Sequence, residues 1–263
     1  MSFIRKGYID TAWGQIHYRT AGDQAAAVPL VLLHQTPSSS VMYERLMGEL
    51  AADFRLIAPD TPGFGSSFVP AERPQIGLYA EAITAALTTL GVEQCCLFGH
   101  HTGASIAAQI TADAPQLVQK LILSGPPNLT TAQIDLLRTK VMPFTPDENG
   151  HYFSDMWSQI RAKNSQLTLE LSYREAVLGL QAAEQYAAAY EAVFEHELAT
   201  LFPRIHCPTL LMAGEHDSIR ASLEPTAAAL PQAQTHIILG ADTYICETHT
   251  QKVADIIRTF CKP

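Results

Sequence analysis

Short apolar runs recur along the chain, and stretches with helical spacing separate them. "PLVLLHQTP" is a continuous apolar run that ends in a turn, the form expected of a strand buried on both faces. "KGYIDT" and "QIHYRTAG" predict two opening strands. "FRLIAPDTPGFG" reads as a strand followed by a Gly/Pro-rich loop, and "CCLF", "KLILSGPP", "CPTLLMAGEHD" and "AQTHIILG" as further strands. "VMYERLMGELAAD" is helical in period, and "IGLYAEAITAALTTLGV" is a helix closed by Gly91. "QKVADIIRTF" ends the chain with Val253, Ile256, Ile257 and Phe260 at helical spacing.

From about Asn128 to Ile205 the pattern changes to mostly helical, with no good strand. Tyr186, Tyr190, Phe194 and Leu198 lie four apart and predict one stripe on a helix. The alternation of strands and helices implies an α/β fold with a mostly parallel, doubly wound sheet. The expected organisation is one domain over residues 1–263 with a helical lid inserted at 128–205. Sites in such sheets lie beyond the carboxyl ends of the strands, which directs attention to the loops after "VLLH", "CCLF", "LLMAG" and "HIILG".

Composition narrows the partners. The chain has 263 residues, 47% of them hydrophobic and 16% charged, which suits a globular protein with a sizeable core. A net charge of −9 argues against nucleic acid or an anionic membrane, since both require a basic face. No apolar run approaches the ~20 residues of a membrane span. "MSFIRKGYIDTAWGQ" lacks the apolar core and small-residue cleavage site of a signal peptide. Five cysteines, an odd number without zinc or redox spacing, suggest reduced thiols and a cytoplasmic location. A small-molecule substrate is the expected partner; composition leaves the oligomeric state open.

Five segments carry chemistry in order: "HQTPSSS" (34–40), "DTPGFGSS" (60–67), "GHHTG" (99–103), "GEHD" (214–217) and "LGADTYICETHTQ" (239–251). Together they resemble the α/β-hydrolase superfamily over nearly the full length, as its oxyanion loop, its D-x-x-G-x-G-x-S loop, its nucleophile elbow, its acid loop and its final histidine loop. The resemblance implies that Asp217 is the acid and that the backbone N–H groups of Thr36 and Thr102 form the oxyanion hole. It places His101 where the family has serine, Thr243 where it has the catalytic histidine, and Gln35 where the oxyanion loop has glycine. Two of the three triad members are thus replaced.

The elbow normally holds its central residue in a strained backbone, and strain of that kind is retained mainly at working sites. Gly99, Gly103 and Ala104 keep the elbow's small neighbours around His101. Threonine at 243 opens the space in which His101 can reach Asp217. A histidine oriented by a carboxylate takes protons near neutral pH. His101 is therefore a candidate base, or a nucleophile forming a transient acyl-imidazole; a decayed site is the bland reading. No cofactor and no metal are implied, because His34, His100 and His101 lie on turns whose adjacent side chains point apart. His34, Gln35, His100, Thr243, Cys246, Tyr186 and Tyr190 are candidates to line the site. Asp60 is expected to cap its own turn, Ser38, Ser39 and Ser40 to cap the helix from Val41, Ser105 to be buried, and His249 to sit on the final helix. The expected function is a hydrolase-type enzyme acting on a small, largely apolar carbonyl compound. The alternatives are a non-catalytic ligand-binding protein on the same fold and a cofactor-free lyase or oxygenase.

Overall fold

The computed structural model describes residues 3–23 and 28–262. Its eight strands are β1 (Arg5–Thr11), β2 (Gly14–Ala21), β3 (Leu30–Leu33), β4 (Leu56–Pro59), β5 (Cys95–His100), β6 (Val118–Ser124), β7 (Thr209–Gly214) and β8 (Gln234–Ile238). They form one sheet in the order β1-β2-β4-β3-β5-β6-β7-β8. β2 runs antiparallel to β1 and β4, and every later pairing is parallel.

Both faces of the central strands are covered, which is why their sequences read as unbroken apolar runs. Every residue of β3, β4, β5 and β7 is buried. Alternate side chains go to opposite sides. Val31, Leu33 and Leu97 join the core under α2 (Ile76–Thr89) and α3 (Thr102–Asp113). Leu30, Leu32, Cys96 and Phe98 join the core under α1 (Glu44–Leu50), α9 (Ile245–Thr248) and α10 (Thr250–Cys261). α8 (Leu223–Ala229) connects β7 to β8. None of the helices of the described residues is long and apolar enough to cross a membrane.

Strand order reverses between β3 and β5, where Leu33 pairs with Gly99. A crevice opens beyond the strand ends at such a switch point, and both the 34–40 loop and the elbow end there. Between β6 and β7 the chain makes α4 (Thr131–Arg138), α5 (His151–Lys163), α6 (Leu169–Ala182) and α7 (Glu184–Phe194) and no strand.

Two expected helices are shorter than their periodicity implied. The stretch from Val41 is a 3₁₀ turn at Ser40–Tyr43 followed by α1; the Ser39 hydroxyl accepts the Val41 N–H, and the first turn is wound tighter. α7 ends at Phe194, so Leu198 is not on the Tyr186–Tyr190–Phe194 helix but opens a separate 3₁₀ segment, Leu198–Arg204. His249 lies at the start of α10 as its N-cap.

Candidate active site

The elbow is built by a short strand that stops and a helix that starts one residue later. His101 occupies that single position with φ 50° and ψ −111°. For a residue with a Cβ this left-handed backbone costs on the order of 1–3 kcal/mol. Three hydrogen bonds hold it: His101 N–H donates to the Ser124 carbonyl at 2.8 Å, and the His101 carbonyl accepts from Ala104 N–H at 2.8 Å and from Ser105 N–H at 3.3 Å. Gly103 lets α3 approach β3, since a Cβ there would overlap the Leu33 carbonyl oxygen.

The His101 ring meets Asp217 at 2.8 Å, Nε2 to Oδ2. The Asp217 carboxylate is fully buried, while the His101 side chain keeps 15% of its surface exposed. Its other oxygen accepts the Ile219 N–H at 2.9 Å. Burial works against the charge on Asp217. Attraction to His101, the hydrogen bond from His101, attraction to His100 and the Ile219 amide outweigh it and hold the carboxyl below its ordinary value. An ionised carboxylate only accepts, so Nε2 of His101 carries a proton, and in the neutral ring it is Nδ1 that presents the lone pair. Nδ1 has no protein partner among the described residues.

Gly125, the residue after β6, makes room for this ring. A Cβ at Gly125 would fall 2.6 Å from His101 Cδ2 and 2.7 Å from Nε2. That edge of the imidazole lies against Gly125, and the Nδ1–Cε1 edge faces the other way. His101, Gln35, Thr36, Thr102, Thr243 and Tyr190 border a cavity of about 460 Å³ beneath the helices between β6 and β7. Leu129, Leu137, Val141, Val193 and Phe194 form its apolar wall. The N–H groups of Thr36 and Thr102 have no acceptor among the described residues. The Tyr190 hydroxyl donates to the Thr36 carbonyl at 3.2 Å.

Four expected lining residues do not reach the cavity. His34 Nε2 accepts the Thr61 N–H at 2.9 Å and its Nδ1 donates to the Gln35 carbonyl at 2.8 Å, so the ring is spent on two loops. Burial pushes its pKa down. His100 donates from Nε2 to the Thr243 carbonyl at 2.7 Å and accepts at Nδ1 from the Ser124 hydroxyl at 2.9 Å. Burial and then the neighbouring His101 lower its pKa to about 3, so it stays neutral and ties the elbow to the last loop. Cys246 and Tyr186 are buried in the two cores. The three histidine rings are held by different partners, Thr61, Thr243 and Asp217, but those of His100 and His101 do not point apart as expected: their centroids lie 4.5 Å from each other.

Asp60 does more than cap its turn. It accepts from Ser66 N–H at 3.0 Å, from Ser40 N–H at 2.7 Å and from His17 Nδ1 at 2.8 Å. Burial opposes its charge, but the His17 bond, His34 and the two amides lower its pKa to about 2. The three serine hydroxyls of the 34–40 loop are engaged away from His101. Ser38 donates to Glu175 at 3.1 Å, Ser39 caps, and Ser40 accepts from Arg19 at 2.7 Å. Ser105 is buried. Gly125 and the Ser124 hydroxyl escaped the reading of the sequence, although "SGPP" after a strand marks a turn at the sheet's carboxyl edge.

Residues 28–250 match the family described as the α/β hydrolase fold, and the chain belongs to that family. Among its relatives, 2-(acetamidomethylene)succinate hydrolase of Mesorhizobium japonicum is 25% identical over 88% of this chain and 87% of its own length. The 2-hydroxymuconate semialdehyde hydrolase of Pseudomonas putida is 27% identical over 92% and 90%. Among solved structures, an esterase from Thermogutta terrifontis has the same fold, with a TM-score of 0.81 at 22% identity over 98% of both chains.

Proposed function

We propose that the protein is a hydrolase of small carbonyl compounds in which His101, oriented by Asp217, is the general base. The observation that carries this is the 2.8 Å His101–Asp217 contact at a backbone held at φ 50°, with Nδ1 left free beside the cavity. The relatives named as hydrolases support the reaction class.

In this reading the helices from α4 to α7 act as the lid, and their apolar wall holds the carbon skeleton of the substrate. The Thr36 and Thr102 N–H groups receive the carbonyl oxygen, and they strengthen their hold as it becomes an oxyanion. Nδ1 of His101 takes a proton from water as the water oxygen bonds to the carbonyl carbon. The tetrahedral intermediate then breaks its bond to the leaving group, which takes that proton from Nδ1. The products are a carboxylic acid and the protonated leaving group, and His101 returns to its starting state. Asp217 keeps the ring oriented and balances the transient imidazolium.

The test is ester turnover by the wild type and His101→Ala, with p-nitrophenyl butyrate as the probe. Loss of roughly 10²-fold or more in kcat supports general-base catalysis; undiminished turnover in the variant overturns it. A fluorophosphonate probe is the second arm. Stoichiometric labelling of Ser38, Ser39, Ser40, Ser105 or Thr102 would replace the imidazole with a hydroxyl nucleophile.

A further inference from the structure

The cavity beside His101 is apolar on one wall and cationic at its rim. Lys140, two residues past α4, and Lys163, the last residue of α5, both border it. Neither is ion-paired among the described residues, where the one lysine in an ion pair is Lys262. The acids nearby are engaged. Arg138 binds Glu191 through two nitrogens at 3.0–3.1 Å. Asp242, the one carboxylate on the cavity lining, accepts from Asn164 and from Tyr244 N–H. In a chain of net charge −9, this rim is locally cationic.

Helix C-termini alone favour lysines at such positions, but Lys163 has a more specific placement. Its Nζ donates to the Tyr190 hydroxyl at 3.3 Å, and Tyr190 donates to the Thr36 carbonyl. The ammonium thus stands two hydrogen bonds from the oxyanion loop, with the Tyr190 ring beneath it at 6.0 Å. The Lys140 backbone is tied to α5, because its carbonyl accepts from Gln159 at 2.6 Å, and its side chain borders the same cavity as Lys163.

We infer that the substrate carries a carboxylate a few carbons from its reacting carbonyl, and that Lys140 and Lys163 bind it while the carbonyl faces Thr36 and Thr102. This rests on the hydrolase reading above. Ammonium–carboxylate hydrogen bonds exceed neutral ones in strength. A neutral chain of equal length leaves both cations to water.

Two measurements separate this inference from that reading. The first compares kcat/KM for mono-p-nitrophenyl glutarate and p-nitrophenyl valerate, of equal chain length, in the wild type and Lys140→Gln/Lys163→Gln. The acidic ester should be preferred on the order of tenfold, and the ratio should collapse toward one in the double variant. Equal turnover of the two esters, or a preference that survives both substitutions, overturns the inference and leaves the hydrolase reading standing. The second is calorimetric titration of glutarate into the wild type, His101→Ala and the double lysine variant, which needs no turnover. Binding that survives loss of His101 and vanishes with the lysines supports the carboxylate site even if neither ester reacts. Absence of millimolar binding to the wild type overturns it.

Discussion

Gly125 lies against the Cδ2–Nε2 edge of the His101 imidazole, with 2.6 Å between the ring's Cδ2 and the point where a Cβ would stand. The same absent methyl would be 3.2 Å from the Asp217 carboxylate oxygen. Gly125→Ala therefore pushes the ring off its carboxylate, and it adds strain at φ 56°. The expected result is a loss of ~10-fold to 10²-fold in kcat with a drop in stability of about 1 kcal/mol. Steady-state kinetics and thermal unfolding check it together. Unchanged kcat would mean that the ring position does not matter to turnover.

Asp217→Asn keeps the shape of the acid and removes its charge. The amide oxygen can still accept one hydrogen bond, but nothing then balances an imidazolium at His101. A fall in kcat of ~10²-fold or more is expected, with KM changed much less, because the carboxylate acts on the ring rather than on bound substrate. A KM effect alone would assign Asp217 to the architecture of the loop.

The legible part of the molecule was whatever repeats within a few residues. Continuous apolar runs marked β3 and β5, and the small residues around His101 marked the elbow. What escaped depends on long-range contacts. Gly125 faces a ring 24 positions earlier, and its own neighbourhood carries no trace of that partner. Tyr186 shared a helical stripe with Tyr190, yet it is buried and Tyr190 borders the cavity, since only the packed neighbours decide which part of a stripe stays open. Leu198 kept the spacing of α7 although the helix had ended. Asp60 looked local but is held by His17, on a strand 43 positions away.

Acid should destabilise the fold from about pH 6.5 downward. His100 stays neutral in the folded chain until about pH 3, and burial also lowers His34 and brings His196 to about 4. The unfolded chain protonates these groups near 6.5, so below that pH it binds more protons and stability falls as pH falls. Each such histidine contributes up to ~1.4 kcal/mol per pH unit inside its window. Glu247 acts oppositely between about 4.5 and its raised value, but it is one group against three. Denaturant melts from pH 7.5 to 5 check the sign; stability that rises on acidification contradicts it.

Arg174 on α6 is bound between two buried carboxylates, Glu175 at 2.7 Å and Glu247 on α9, while Glu175 also accepts from Ser38 of the 34–40 loop. One oxygen of each carboxylate, Oε2, has no partner. Burial raises the Glu247 pKa most, and the attraction of Arg174 only partly offsets it. Removing the cation strands two acids, so Arg174→Met should destabilise by ~3–5 kcal/mol near neutral pH. Glu247→Gln should behave differently. The wild type loses stability as pH rises from the ordinary glutamate value toward the raised one, because the folded chain holds a proton that the unfolded chain has released. Glutamine does not titrate, so the variant's stability relative to wild type should improve from pH 5 to about pH 7 and level off above it. Paired unfolding curves across that range read the difference directly. A difference that stays flat with pH would show that Glu247 is fully ionised in the fold and that Arg174 alone balances both acids.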